Sequence, residues 1–466
     1  MSLFQGYQSN NFFDELFASD GQPHAHCRKL NQRLNDISLP DYLGRSQLAN
    51  LMLLNQGITF TVYNDARGTE KPWPFDLIPR IVPAQDWDII ERGLTQRLVA
   101  LNKFLYDVYH KQKILKDRKV PRDLIVSAAH FRREFLGANP PSDIYVHICG
   151  SDLIRGSDGT YYVLEDNLRT PSGVSYVLEN RTILTRVMPG LFQEMAVRPV
   201  DHYVTQLLSN LMDMAPPNRR HEPQVVLLTP GVHNSAYFEH TFLAQQLGID
   251  LVQGQDLFVD DNIVYMKTTK GRQRVDVIYR RVDDDYLDPL VFRADSTLGV
   301  PGLVNAYRAG NVALVNSIGT GVADDKAVYA YVPEMIKYYL DEEPILPNVE
   351  TYLGSVPNQL DHILKNLDKL VVKATNESGG YGMLMGPQAS ASERAEFAEM
   401  IAANPRNYIG QPLISLSTTP CFVEDRFEPR HIDLRPFALQ GRQGVTIIPG
   451  GLTRVALRKG SFVVNS

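Results

Sequence analysis

"TYYVLEDNLRTPSG", residues 160–173, poses the question on which the fold turns. Four residues of strand character, Tyr161, Tyr162, Val163 and Leu164, run straight into Glu165, Asp166 and Asn167. Side chains alternate along a strand, so Glu165 and Asn167 fall on one face. The preceding "DIYVHICGSDLIR" (143–155) reads as a partner strand and "GSDG" (156–159) as the turn between them, which brings Asp152 into the same hairpin. Asp152, Glu165 and Asn167 are an oxygen-only set. Magnesium takes one or two carboxylates together with phosphate oxygens and water, whereas zinc favours nitrogen and sulfur, so the set suits nucleotide-bound Mg2+. The competing reading is a hairpin whose acidic end is merely solvated.

Two further stretches bear on that choice. "VVKATNESGGYGM" (371–383) places Lys373 at the end of an apolar strand, followed by Gly379, Gly380 and Gly382, where bare backbone amides could approach phosphate. The spacing is neither GxxxxGK[ST] nor GxGxxG, which excludes a Walker loop and a dinucleotide fingerprint. A glycine turn in a hairpin is the plain alternative. Lys326, in "ADDKAVYAY" (323–331), is a third candidate, with a surface lysine as its alternative.

Bulk properties set the frame. A chain of 466 residues, 44% hydrophobic and 21% charged, is an ordinary globular composition with length for two or three folding units. The net charge of -6, without a Lys/Arg stripe, argues against nucleic acid as a partner. Cys27, Cys149 and Cys421, odd in number and far apart, form neither a disulfide framework nor a CxxC pair, as expected in a reducing compartment. With no signal-peptide pattern at the start and no run of 18 apolar residues, the expectation is a cytoplasmic protein without a membrane segment. The end at Ser466, just after the strand-like "GSFVVNS", leads us to expect a short tail beyond it.

Along the chain, Pro72, Pro74 and Pro79 predict an irregular, aromatic-anchored segment within 57–80. Ile89, Ile90, Leu94, Leu98, Leu101, Leu105 and Val108 recur at three- and four-residue steps and predict a long amphipathic helix. From about 225, "QVVLLTPG", "NSAYFEHTFLAQQLG" closed by Gly248, "IDLVQG" and "VDVIYRR" read as strand, helix, strand, strand, the opening of a doubly wound sheet. "MAPPNRRHEPQ" (214–224) is its linker. There is no internal repeat.

Taken in order, Lys326, "LPNVETY", Lys373 with its glycines, "YIGQPLISL" and "HIDLRPFAL" resemble the nucleotide-binding half of an ATP-grasp enzyme, while Asp152, Glu165 and Asn167 resemble its magnesium half. In most ATP-grasp ligases the magnesium half comes last, and here it comes first. The chain therefore resembles the circularly permuted ATP-grasp family, relatives of glutathione synthetase and glutathionylspermidine synthetase. "GITFTVY", "PWPFDLIPR", "VLEDNLRTPSGVSYVLENR" and "GVADDKAVYAYVPEMI" are similar to its signature stretches. The fold implied is an α/β (α+β) circularly permuted ATP-grasp with a doubly wound, Rossmann-like pre-ATP-grasp domain. The implied division is an N-terminal segment and long helix at 1–130, the magnesium half at 131–215, the substrate domain at 222–320 and the nucleotide half at 321–466, packed on 131–215.

The resemblance also implies roles. Lys326 and Lys373 would neutralise ATP phosphates beneath a lid at 379–383. Gln411 and Leu413 would hold adenine, and Asp152, Glu165 and Asn167 would carry Mg2+. Arg169 and Arg454 would stabilise an acyl phosphate or its tetrahedral successor, with the turn containing Ser172 facing it. The related ligases often place an arginine just before the metal aspartate, but here Gly150 and Ser151 stand there, so the basic group must come from elsewhere. Thr229, His233 and Asn234 are substrate candidates at the first strand end of the doubly wound unit, a helix cap by Asn234 or Ser235 being the alternative. Arg280 and Arg281, beside Asp283, would grip a substrate carboxylate bidentately, or form a salt-bridged strand end. The implied activity is an ATP- and Mg2+-dependent ligase joining a small acid to an amine, with no nucleic-acid or membrane partner. A scaffold that binds nucleotide without catalysis and a phosphotransferase are the rivals. One requirement is structural: the Asp152–Glu165 hairpin must share a sheet with "HIDLRPFAL" and "GGLTRVAL", nearly three hundred residues later.

Overall fold

Apolar spacing produces the longest helix, α1 (Ala84–Tyr109), which starts directly after Pro83. The computed structural model in which we describe it covers residues 3–9, 11–61, 70–72, 74–218, 221–376, 382–462 and 464. Ile90, Leu94, Leu98, Leu101, Leu105 and Val108 form its buried stripe, each such side chain contributing roughly 1.5–3 kcal/mol by leaving water. Ile89 lies off the stripe and is exposed, because one residue turns a helical side chain by about 100°. Before α1, the segment expected to be irregular contains a two-stranded ribbon, Thr59–Thr61 against Glu70–Pro72. Pro72 is tolerated as the last residue of a ribbon strand, where at most one ladder bond is lost. No helix among the described residues is long and apolar enough to cross a membrane.

Strands β1 (Ile148–Arg155) and β2 (Tyr161–Asn167) form the expected hairpin, with Asp152 opposite Glu165 and Gly150 opposite Asn167. The register jumps between Asp152 and Leu153, so Leu164 is the extra residue of a bulge, which bends the strand just before its acidic end. Helix α2 (Val174–Val187) follows, entered through Gly173, whose φ of 113° suits glycine.

The doubly wound unit then forms as its sequence suggests. Strand β3 (Val225–Leu228) leads to helix α3 (Tyr237–Leu247), stopped by Gly248 in the left-handed region, and to strand β4 (Asp250–Val252). An unanticipated antiparallel meander at 257–274 precedes β5 (Val277–Arg280) and β6 (Ala313–Val315). The sheet order is β6-β5-β3-β4 and every pairing is parallel. All residues of β3 and β5 are buried, as expected for strands covered on both faces.

The last third begins with α4 (Lys326–Tyr329), capped by the Asp325 side chain. Strands β7 (Tyr352–Leu353), β8 (Leu370–Ala374), β9 (Met383–Met385) and β10 (Tyr408–Pro412) make an antiparallel sheet of order β7-β10-β8-β9. The strand expected over "YIGQPLISL" stops at Pro412, and Ile414 and Leu416 turn into a small apolar cluster instead. Strands β11 (Arg435–Gly441) and β12 (Gly444–Leu452) then return to the first hairpin, giving the sheet β12-β11-β1-β2. Phe437 pairs with Gly150 across this junction. The required union of sequence-distant strands is present.

Candidate functional site

Three elements from different parts of the chain meet at the acidic end of β2. Asp152 is fully buried. Arg435, from β11, clasps it with Nε at 2.5 Å and Nη2 at 2.9 Å, and Arg454 adds Nη2 at 2.7 Å. Arg454 also pairs with Asp433. Two guanidinium groups facing Asp152 and Asp433 concentrate charge in a low-dielectric setting, where hydrogen-bonded pairs persist only if fully satisfied. Burial opposes ionisation of Asp152, but Arg435 and then Arg454 outweigh it and hold the carboxyl far below the usual carboxylate range.

Glu165, half-buried, behaves oppositely. Burial and the neighbouring Asp152 carboxyl push its pKa up, with Lys326 pulling the other way. The Lys326 ammonium lies 3.6 Å from Glu165 Oε2. Lys373 completes the electrostatic group: burial and Lys326 lower its pKa to about 8, while Glu165 opposes that shift. Its Nζ donates to Gln411 Oε1 at 2.8 Å, and Gln411 Nε2 donates to Thr351 Oγ1 at 3.0 Å. Lys326 and Lys373 are thus both held near the Glu165 carboxylate. Polyphosphate is the matching ligand chemistry.

The donor types suit magnesium, although both oxygens of Asp152 already face the Arg435 and Arg454 guanidinium groups. Glu165 carries a raised pKa beside Asp152, which a divalent cation would reverse. Asn167 Nδ2 donates to Gly150 O at 3.1 Å, which leaves its side-chain oxygen as a ligand. Among the described residues no three carboxylate, imidazole or thiol groups converge on one point, so a metal here would take two carboxylates and an amide and use phosphate oxygens for the rest. Asp166, between the two candidate ligands, points to the other face and is bound by Arg97 and Ser151.

The arginine expected from elsewhere comes from the adjacent strand. A Cβ built on Gly150 would lie in ordinary contact, 3.4 Å, with Arg435 Cδ, so Arg435 runs alongside the glycine. Sequence reading passed over Arg435 although it stands inside "HIDLRPFAL". No local signal pointed to it, since Arg435 and Asp152 are 283 residues apart in the chain. Asp324 and Asp433, which orient Arg169 and Arg454, were also missed, since only the fold brings them near their arginines.

Arg169 is held by Asp324 Oδ2 at 2.8 Å and reaches Asp283 at 3.4 Å, bridging the end of β2 and the end of β5. Burial pushes Asp324 up to about 6 against the pull of Arg169. Ser172 contributes its carbonyl to Arg435 Nη1 at 3.2 Å. The turn around it was expected to face a ligand, but the amides of Gly173 and Ser175 both donate to the buried Glu239 Oε2, so the start of α2 is already capped by a carboxylate.

Gln411 was expected to contact adenine, whereas its side-chain amide is committed to Lys373 and Thr351. Leu413 lies just past β10, outside the ladder. Gly379 and Gly380 lie outside the described residues. Gly382 sits before β9, at a φ of 63°, and its carbonyl accepts from Ala374 N.

The substrate candidates of the doubly wound unit divide. His233 is exposed in the turn after β3. Asn234 Oδ1 accepts from Ala236 N at 2.9 Å in the turn before α3, but the N-cap residue is Ala236 and no side chain caps the helix, so the cap by Asn234 or Ser235 does not form. Thr229 is corrected to a buried structural residue, bonded to His240 Nδ1 at 2.9 Å and to Gly231 N. Arg280 and Arg281 are corrected likewise. Arg280 donates to the carbonyls of Asn316, Val282 and Ser317 and pairs with Asp284, and Arg281 donates to Pro171 O and Glu239. Both are buried, and apart from Arg281 Nε their guanidinium nitrogens are engaged in joining segments of the protein, so neither is open to a carboxylate from solution.

Comparison with known proteins gives the class. Residues 79–456 match the circularly permuted ATP-grasp type 2 family. The chain belongs to that family of ATP-grasp ligases. It is 54% identical over 462 residues to an uncharacterized protein of Synechocystis sp., covering 99% of this chain and 96% of the relative. A Frankia casuarinae protein carrying the provisional name glutamate–cysteine ligase 2-2 is 43% identical over the whole of this chain, which spans 53% of that protein. The solved structure of a glutathione synthetase-like effector from Globodera pallida superposes with a TM-score of 0.62 over 90% of this chain and 96% of its own. At 13% identity that likeness concerns the fold.

Proposed function

We propose that this protein is an ATP- and Mg2+-dependent carboxylate–amine ligase that acts through an acyl phosphate on a small peptide or amino-acid-like substrate. The observation that carries the reading is the meeting of Lys326, Lys373 and Glu165 at one strand end, with Arg435 at the start of β11 and Arg454 just past the end of β12. Lysines 326 and 373 bind the phosphate chain. Asp152, Glu165 and Asn167 would hold magnesium, which would supply positive charge to offset that developing on the transferring phosphoryl group.

In the first step a substrate carboxylate oxygen attacks the γ-phosphorus, the bond to the bridging oxygen breaks, and ADP departs. The substrate amine nitrogen then attacks the acyl carbon, phosphate leaves with its electron pair, a C–N bond forms and the amine proton passes to solvent. Arg435, fixed by both oxygens of Asp152, and Arg454 present N–H groups to the oxyanion that develops at the acyl carbon, without reorganising during the reaction. Arg169 stands at the boundary with the doubly wound unit, where open α/β sheets take their ligands beside a reversal of strand order, here between β3 and β5. The Frankia relative's name favours an amino acid as one substrate.

The test is to incubate a metabolite extract with the protein and MgATP and to follow nucleotides and condensation products by mass spectrometry. A product equal to two substrates less water, with ADP and phosphate, is expected. AMP with pyrophosphate would overturn the acyl-phosphate route, and ADP without a condensed product would point to a phosphotransferase.

A further inference from the structure

Lys326 and Lys373 sit on separate elements, α4 and β8, and something must fix the distance between them. Arg406, in the short turn between a helix ending at Ala403 and β10, reaches both. Its Nη2 donates to Asp325 Oδ2 at 2.7 Å and to Leu124 O at 3.0 Å, its Nη1 to Thr375 Oγ1 at 3.4 Å and its Nε to Ser127 Oγ at 3.2 Å. Each partner has a place in the phosphate-binding frame or in the body that supports it. Asp325 is buried, precedes Lys326 and caps α4 by accepting from Ala327 N at 2.8 Å. Thr375 is buried and stands two residues after Lys373. Leu124 and Ser127 belong to, or directly follow, the short helix Arg122–Val126 of the N-terminal half.

Backbone bonds close the arrangement into a ring. Lys326 N donates to Thr375 O at 3.2 Å, and Thr375 N donates to Asn407 O at 2.9 Å, beside Arg406 itself. One guanidinium therefore fastens the lysine of α4, the lysine strand β8 and the start of β10 to a common anchor. A lysine side chain in its place offers a single point charge and cannot span four acceptors in a plane.

We propose that Arg406 is a positioning residue for nucleotide: it sets the separation of Lys326 and Lys373 and so the affinity for the phosphate chain. The inference rests on the nucleotide-binding reading above and assigns a part of it to a residue that would touch no ligand.

The test compares the full-length protein with Arg406→Gln and Arg406→Lys, using MgADP as the probe in isothermal titration calorimetry. The Kd should rise about tenfold in Arg406→Gln and by a similar or smaller factor in Arg406→Lys. Asp325→Asn should raise it as well, and the double variant Arg406→Gln with Asp325→Asn should bind no more weakly than the weaker single variant, because both act through one contact. Hydrogen exchange supplies a readout without nucleotide: the amides of Lys326 and Thr375 should exchange faster in Arg406→Gln, while those of β11 and β12 should not. A wild-type protein that binds MgADP together with an Arg406→Gln Kd within twofold of it would overturn the proposal and leave the nucleotide reading intact, assigning Arg406 to stability alone. A wild-type protein that does not bind MgADP would overturn both.

Discussion

Two strand ends in this molecule look alike in sequence and behave differently. Strand β2 ends in Glu165, Asp166 and Asn167, and strand β5 ends in Arg280, directly followed by Arg281, Val282 and Asp283. At the first, Glu165 is partly open and its closest ion-pair partner is a lysine at 3.6 Å, so its charge is incompletely offset. At the second, Arg280 and Arg281 are buried and, Arg281 Nε apart, meet carbonyls and carboxylates at 2.6–3.0 Å and the Tyr279 hydroxyl at 3.2 Å. Charge at a strand end therefore marks a site only where the protein leaves that charge short of partners. Where nearly every donor is matched internally, the same residue type is part of the frame, and its removal is felt in stability.

The largest effect should come from breaking the sealed end. Arg280→Met removes the nearer of the two arginines paired with buried Asp284 and the donor to three carbonyls, and should cost about 3–5 kcal/mol of stability, read by urea unfolding. A variant as stable as the parent would mean that β5 is not sealed. At the open end, Glu165→Gln should lower turnover by a factor of roughly 100–1,000 while changing stability by no more than about 0.5 kcal/mol. Arg435→Lys, which keeps charge but loses the two-point clasp on Asp152, should lower turnover in the same direction. Activity retained by both would remove the strand end of β2 from the reaction.

A third prediction concerns pH. Burial and then nearby Arg281 depress His240 to about 2, and its Nδ1 is bonded to Thr229. The unfolded chain binds this proton near pH 6.5 and the folded chain does not. Stability from this group is therefore present above that pH and is lost as pH falls through 6.5 and further, by about 2 kcal/mol at pH 5. His240→Gln should flatten the unfolding free energy between pH 6.5 and 5 by that amount, and an unchanged slope would show that the ring is open to protons. The smallest effect belongs to His233, exposed at the carboxyl end of β3. His233→Ala should alter stability by less than about 0.5 kcal/mol, and the KM of an amine or acid substrate is the measurement that reveals any ligand contact there.

Much of this was legible in the residues. The apolar spacing of α1, the buried runs of β3 and β5, the stop at Gly248 and the turn in "GSDG" are local signals, and each element formed where they placed it. Glu165, Asn167, Lys326 and Lys373 could be singled out because a hard-ion set and a lysine at the end of an apolar strand are unusual enough to need a reason. Less was visible of the meander at 257–274 and the stop of β10 at Pro412, which depend on how short strands are covered rather than on their own pattern.

What the sequence determined by itself was most of the elements, their order along the chain and the chemistry that their ends carry, because periodicity, capping and side-chain type are properties of neighbouring residues. Tertiary structure alone decided which charges were spent. Nothing near Gly150 announces Arg435, and nothing near Arg280 announces the carbonyls of Asn316 and Ser317 that occupy it. The partners lie 283 and about 36 residues away from Asp152 and Arg280 respectively, and reach them only after the sheets have assembled. Whether a buried charge is a tool or a fastening depends on desolvation and the count of donors and acceptors around it, and those are fixed by packing across the whole chain.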